Sequence, residues 1–274
     1  RQVSWLHGHE VLFSLRRVHY VSGPWARLFK LAKLLPLNFY QLALARGFLP
    51  SQDRLVFVSD WMRRAAERHT RRQYPKAVVI PNPVDTELFS YRLDPANLHR
   101  GVAARSFNST KYGLDLAIRA FAGLTAADLT IVGSGPLADR FARLIAETGA
   151  NAELQARRIP HDGMPALFGA YGFFLAPSRV EAQGVAMCEA MACGLPVIAT
   201  RIGGIPEFVE HGVEGLLVPP EDPPAIRAAV EALVSDPSRQ LEMSRRARAR
   251  VEAQCGPATV TRRELAVLAG EGDA

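Results

Sequence analysis

Residues 172–200 read GFFLAPSRVEAQGVAMCEAMACGLPVIAT. A short apolar run, Gly172–Ala176, gives way to a polar loop, Pro177–Gly184. A stretch of Ala, Met and Cys at 185–193 follows, and then a second apolar run, Pro196–Ala199. The order strand, loop, helix, strand predicts two parallel strands joined by a crossover helix. Between Ala182 and Thr200 the only formal charge is Glu189, and a second carboxylate, Glu181, stands just before the stretch. A carboxylate in such surroundings is costly to desolvate unless something pairs with it. No cation lies within the stretch, so the partner of Glu189 must come from elsewhere in the fold or from a ligand.

The same alternation recurs outward from this unit. Strands are predicted at Val3–Leu6, Leu55–Val58, Ala77–Ile80, Gly101–Ala104, Leu129–Val132, Ala152–Gln155 and Gly215–Val218. Helices are predicted over 25–46, 60–72, 112–123, 136–148, 163–170, 222–234 and 237–253, with start signals such as Ser59-Asp60 and Pro136. Pro36 is expected to break or kink the first of them. The class is α/β with parallel sheets. Pro81-Asn-Pro-Val-Asp85 through Pro95 reads as a hinge. It divides the chain into a partial N-terminal domain over 1–90, a second domain over 91–255 and a C-terminal helix over 256–274 that crosses back to the first. Only three strands precede the hinge, so the first domain reads as truncated, its missing strands lying upstream of Arg1.

Charge divides the same way. Residues 1–76 carry 14 Lys+Arg against 4 Asp+Glu, whereas residues 77–274 carry 19 against 23. The basic half should favour an anionic partner. No zinc spacing, aromatic-rich strand signature or helix-turn-helix accompanies it, so nucleic acid is not expected. Within 25–46, Trp25, Leu28, Phe29, Leu31, Leu34, Leu35, Leu37, Phe39 and Tyr40 alternate with Arg27, Lys30 and Lys33. Two readings stand: attachment to an anionic membrane face, or a packed helix beside a solvated basic patch. Arg63, Arg64, Arg68, Arg71 and Arg72 extend the same basic character. No apolar run approaches the ~18–20 residues that span a bilayer, and no signal-peptide pattern is present. With Arg1 first, the chain reads as a fragment or a processed form. Its three cysteines match neither a disulfide framework nor a metal spacing and read as buried thiols in a reducing cytosol.

In an open parallel sheet, ligands sit beyond the carboxyl ends of strands and at helix N-termini. Arg105 follows the strand Gly101–Ala104, with Lys111 six positions later. Only four of the 33 basic residues are lysines, so a lysine in this loop stands out, and the two cations suit a diphosphate. Gly133-Ser-Gly-Pro136 is a tight turn that would serve equally as a phosphate cradle or as a turn alone. Backbone N–H groups around Gly184 would meet a phosphate or sugar oxygen, with Glu181 at the same crevice. Glu189, within the next helix, would suit a diol. His7, after the first strand and followed by Gly8-His9-Glu10, would offer an imidazole from the other domain.

Together these residues resemble the retaining GT-B glycosyltransferases of family 4. The resemblance rests on Glu181-x7-Glu189 within "EAQGVAMCEAMACGLPVIAT", on "GGIPEFVEHGVEGLLVPPED", on "VIPNPVDTELF" at 79–89 and on "VGSGPL" at 132–137. It implies a GT-B fold of two Rossmann-like, doubly wound domains. It also implies transfer of a hexose from a UDP-, GDP- or ADP-sugar with retention of configuration, in cell-surface polysaccharide or glycolipid synthesis. Arg105 and Lys111 would neutralise the departing diphosphate, and Glu181 would hold donor-sugar hydroxyls. Gln183, Gly184 and Val185 would offer backbone N–H groups, Glu189 would bind the ribose, the backbone near Ile159 would meet the base, and His7 would sit over the sugar. No cofactor and no obligatory metal are expected, and no Asp-x-Asp pattern occurs. The acceptor would be a sugar or lipid-linked. The place expected is the cytoplasm, peripheral at the inner membrane face. Departures are Lys111-Tyr-Gly113, where Lys-Gly is commoner, and Ala156-Arg157-Arg158, where a glycine turn is usual. The family's N-terminal glycine-rich loop is also missing. Two other readings follow from these: a donor-binding fragment without turnover, and a GT-B nucleotide-sugar epimerase.

Overall fold

A computed structural model describes residues 2–7 and 24–270, without the side chains of 24–31, 33, 37, 38 and 44. Gly8, His9 and Glu10 therefore lie outside the described residues, as do the side chains of Trp25, Arg27, Leu28, Phe29, Lys30, Leu31, Lys33 and Leu37. The chain forms two compact units, 1–82 with 258–274, and 83–257.

In the smaller unit, β1 (Val3–Leu6), β2 (Arg54–Phe57) and β3 (Ala77–Val79) form a parallel sheet in that order. Two helices, α1 (Pro24–Phe48) and α2 (Asp60–Thr70), connect the strands. The Ser59 hydroxyl caps α2 by accepting from the Met62 N–H at 3.3 Å, as the Ser-Asp start signal predicts. Pro36 does not end α1. Pro36 and Ala32 are both exposed, so the carbonyl four residues back, which loses its helical donor, is left to water. A further helix, α10 (Pro257–Ala269), contributes to the smaller unit's core. Val260 and Val267 are buried with Val56, Val78 and Ile80, and the Arg263 guanidinium donates to the Val79 carbonyl at 2.6 Å.

The larger unit is a six-stranded parallel sheet of β4 (Arg100–Ala104), β5 (Asp128–Gly133), β6 (Ala152–Ala156), β7 (Phe173–Ala176), β8 (Val197–Thr200) and β9 (Gly215–Val218), with spatial order β6-β5-β4-β7-β8-β9. This is the doubly wound order. Its direction reverses between β4 and β7, where a crevice opens at the carboxyl ends of the strands. Alternate strand residues feed two cores. Val102, Phe174, Val197 and Leu217 pack with α5 (Met164–Phe168), α6 (Val185–Ala192) and α9 (Pro237–Cys255). Ala103, Phe173, Ile198 and Leu216 pack on the other face with α3 (Leu114–Ala120), α4 (Ala138–Thr148) and α8 (Pro223–Val234). A single turn, α7 (Ile205–Phe208), completes the series and has no counterpart among the predicted helices.

Two boundaries differ from the sequence reading. The unit boundary falls at Asn82/Pro83, before the expected residue 90, and the helix returning to the smaller unit begins its share at Ala258. The reason is packing. Val84 and Phe89 are buried in a core of the larger unit, and the Val84 N–H donates to the Cys255 carbonyl at 2.9 Å. The Pro-rich segment is therefore not a free hinge along its length. In addition, α3 starts at Leu114 rather than 112, because a 3-10 turn at Thr110–Tyr112 and a left-handed Gly113 (φ 65°) precede it.

Candidate functional site

The switch point places the loops after β4 and β7 side by side. Arg105 continues the ladder beyond β4, its N–H donating to the Val132 carbonyl at 3.0 Å. Its side chain turns inward and is only 9% exposed. The guanidinium carbon lies 5.1 Å from the Phe174 ring centre and 5.5 Å from that of Tyr112. The Lys111 ammonium stands 4.6 Å from the same Tyr112 ring. The two expected cations thus meet across one aromatic side chain. Among the described residues neither has a carboxylate within 4.0 Å, and Arg105 Nε and Nη2 are buried with no hydrogen-bond acceptor. A buried guanidinium with idle donors is an arrangement that a bound anion completes.

The loop after β7 brings up Glu181. Its backbone is pinned from behind. The Glu181 carbonyl accepts the Gly204 N–H at 3.0 Å, and a Cβ on Gly203, whose φ is +59°, would fall 2.0 Å from that oxygen. The Glu181 stem passes over Gly184, which caps α6. Val185, at the start of α6, is exposed, and the first N–H groups of a helix have no intrahelical acceptor. Gln183 behaves differently: its side chain is 2% exposed, and its amide donates to the Cys255 sulfur at 3.8 Å.

Glu189, on α6, is buried, and a protein partner does reach it. His161 Nε2 lies 2.8 Å from Glu189 Oε1. The imidazole belongs to a short turn, His161–Gly163, after β6, and sits edge-on against the fully buried Phe89 ring at 5.1 Å. One carboxylate oxygen is thereby committed, and Oε2 has no partner among the described residues. The sequence reading stopped two residues short, at Ile159, which is half-buried against the core. The available signal was position: His161 follows a predicted strand, and such loops converge at the crevice.

His7 lies in the smaller unit, exposed at the end of β1, with Nδ1 2.8 Å from Asn82 Oδ1. In the larger unit Arg105 and Lys111 share the Tyr112 ring, Glu181 lies over Gly184 beside Val185, Glu189 pairs with His161, and Ile159 stands beyond the edge strand β6. Among the described residues no three His, Cys, Asp or Glu side chains group as metal ligands. The three cysteines are free and buried. Burial pushes the Cys193 thiol up to about 12, and a hydrogen bond with Cys255, together with burial, raises Cys188. Both thiols are therefore protonated at neutral pH and are poor nucleophiles.

Comparison with known proteins places this geometry in context. Residues 100–236 match the family described as glycosyl transferases group 1, and residues 2–88 match glycosyltransferase family 4. A GDP-mannose-dependent alpha-(1-6)-phosphatidylinositol monomannoside mannosyltransferase of Mycolicibacterium smegmatis is 36% identical over 70% of this chain and 55% of its own length. An N-acetyl-alpha-D-glucosaminyl L-malate synthase of Bacillus anthracis is 32% identical over 50% of this chain and 36% of its own. The chain thus spans about half, or less, of these relatives. Among solved structures, sucrose-phosphate synthase from Thermosynechococcus elongatus superposes with a TM-score of 0.81 at 22% identity, covering 98% of this chain and 67% of that one. Anabaena HepE in complex with UDP and glucose superposes with a TM-score of 0.75 at 21% identity, covering 84% and 67%. The fold is α/β of the GT-B kind.

Proposed function

The chain belongs to the group 1 glycosyl transferases, and from that premise we propose that it moves a hexose from a nucleoside-diphosphate sugar to an acceptor with retention of configuration. The observation that carries this reading is the buried, unpaired guanidinium of Arg105 beside Lys111. Breaking the bond between the sugar C1 and the diphosphate leaves a further negative charge on the departing phosphate. Cations fixed in a dry crevice stabilise that charge more as it develops than before. Glu181 takes hydroxyls of the sugar, and the backbone N–H groups of Gln183, Gly184 and Val185 take phosphate and sugar oxygens. The free oxygen of Glu189 accepts from the ribose, and the backbone near Ile159 meets the base. Glu189 is thus a binding group, and only Glu181 of the two acids touches the reacting sugar. Neither a metal nor a further cofactor enters this reading.

Calorimetric titration of UDP-, GDP- and ADP-sugars tests it. One donor should bind the native chain and bind Glu189→Ala about ten- to a hundredfold more weakly, the scale of one or two hydrogen bonds to a charged group. Failure of every donor to bind would remove the donor-site assignment. Equal binding by both proteins would make Glu189 a structural acid paired with His161.

For the acceptor we propose a lipid-linked sugar in cell-surface polysaccharide or glycolipid synthesis, reached from the cytoplasmic face of a membrane. Support comes from the basic first 76 residues, from the relative named for a phosphatidylinositol mannoside, and from Phe39 and Tyr40 on α1, 69% and 63% exposed. The attachment proposed is peripheral, through the basic surface and the exposed aromatics; among the described residues no helix is long and apolar enough to cross a membrane. The protein should sediment with anionic vesicles at low salt and be released as salt rises. Equal recovery with neutral vesicles would defeat this part of the proposal.

A further inference from the structure

The larger unit holds a second, half-buried arginine near the same loops, and its situation is the opposite of Arg105's. A guanidinium has five N–H donors, and all five of Arg179's are used. Nε donates to Glu221 Oε1 at 2.6 Å. Nη1 donates to Asp115 Oδ1 at 2.8 Å and to the Thr110 carbonyl at 2.6 Å. Nη2 donates to Asp115 Oδ2 at 2.9 Å and to Glu221 Oε2 at 3.0 Å. The side chains of Arg179 and Asp115 are each 16% exposed. The backbone joins the same connection, for the Arg179 N–H donates to the Lys111 carbonyl at 2.7 Å.

These bonds tie together three segments far apart in sequence. Residues 110–115 carry Lys111, the loop of Arg179 carries Glu181, and Glu221 follows β9. Glu221 itself is informative. Its φ is +58°, a left-handed conformation that costs a side-chain-bearing residue about 1 kcal/mol or more and that glycine adopts freely. What glycine lacks is the carboxylate, and both of its oxygens accept from Arg179 while the side chain stays 57% exposed.

We propose that Arg179 is a positioning residue for transfer. It holds the cation that meets the diphosphate at a fixed distance from the acid that meets the sugar. The proposal rests on the donor-site reading above. Lysine cannot take over the role, because its three donors lack the planar fork that engages two carboxylates and a carbonyl at once.

The test is a double-mutant cycle on affinity for UDP, GDP or ADP, using whichever nucleotide binds the native chain. The four proteins are native, Arg179→Lys, Lys111→Ala and the double variant, with melting curves taken in parallel. Arg179→Lys should weaken binding about tenfold, within the range of coupling between residues of one network. In the Lys111→Ala background the same substitution should have no further effect, because the group being positioned is gone. A purely structural arginine would lower the melting temperature equally in both backgrounds, and its effect on affinity would add in full. Additive losses, or unchanged affinity for Arg179→Lys, would overturn the proposal. If Arg179→Lys does not fold, Glu221→Gly replaces it in the cycle. It keeps the Asp115 pair and relieves the left-handed strain, and it should weaken binding severalfold, again only when Lys111 is present. If no nucleotide binds the native chain, the donor-site reading fails and the positioning role with it. Binding with full additivity sinks the positioning role alone.

Discussion

Arg105→Met is expected to raise the melting temperature while weakening nucleoside-diphosphate binding about a hundredfold or more. The two effects have one cause. A guanidinium that is 9% exposed, with Nε and Nη2 unsatisfied, costs the ligand-free fold several kcal/mol of desolvation that no counter-charge offsets. Methionine fills similar space against Phe174 and Tyr112 and needs no partner. Replacing buried charge by a well-packed apolar residue typically stabilises by about 1–4 kcal/mol. At about 2–4 °C per kcal/mol for a unit of this size, the rise should be several degrees. Binding moves the other way. Two charge-assisted hydrogen bonds to a phosphate, each worth about 1.5–3 kcal/mol, disappear with the guanidinium. Differential scanning fluorimetry and calorimetry on the same preparation read both quantities. A variant that melts lower and binds as before would show that Arg105 supports the fold rather than an anion.

Gly113→Ala is expected to destabilise the larger unit by about 2–5 kcal/mol, the sum of a left-handed alanine and a backbone clash. Gly113 has a φ of +65°, and a Cβ there would stand 1.8 Å from the Pro177 carbonyl oxygen. Backbone cannot swing aside as a flexible side chain would, so either the turn before α3 or the loop after β7 must move. Of a typical total stability of about 5–15 kcal/mol this is a large share, and the melting temperature should fall by roughly ten degrees. Gly123→Ala supplies the control, because its φ is also +65° yet nothing lies within 4 Å of the new Cβ. It should lose only the conformational part, about 1 kcal/mol. Equal losses in the two variants would mean that the Gly113–Pro177 approach carries no weight. Nucleotide affinity should fall for Gly113→Ala alone, because Lys111 travels with the displaced turn.

The strands were legible because each is a short apolar run closed by Gly, Pro or a polar loop, and all nine predicted runs pair in parallel sheets. The place of the site was legible too. Doubly wound sheets gather the loops beyond their strand ends, and the loops of Arg105, Lys111 and Glu181 follow the adjacent strands β4 and β7, whereas Ile159 follows the edge strand β6. What stayed hidden depends on partners distant along the chain. Glu189 and His161 are 28 positions apart, and Arg179 and Asp115 are 64 apart. Periodicity says which face a side chain occupies, not which side chain from another loop meets it. Arg179 is instructive here. It stood in the quoted loop without a role, because its partners Asp115 and Glu221 come from other loops, 64 and 42 positions away. Pro36 does not break α1 for a local reason: the carbonyl that loses its N–H donor lies on an exposed turn, where water can donate to it instead.

The larger unit is, in covalent terms, an insertion. The Val84 N–H and the Cys255 carbonyl, 2.9 Å apart, bring its two ends together, so the path leaves the smaller unit after Asn82 and re-enters it at Ala258. Synthesis proceeds from the N-terminus, and this sets an order of assembly. Val56, Val78 and Ile80 emerge early, but Val260 and Val267, which close their core, emerge only after all of 83–257. The larger unit can therefore complete its sheet on the ribosome while the core of Val56, Val78 and Ile80 waits for a helix made nearly two hundred residues later.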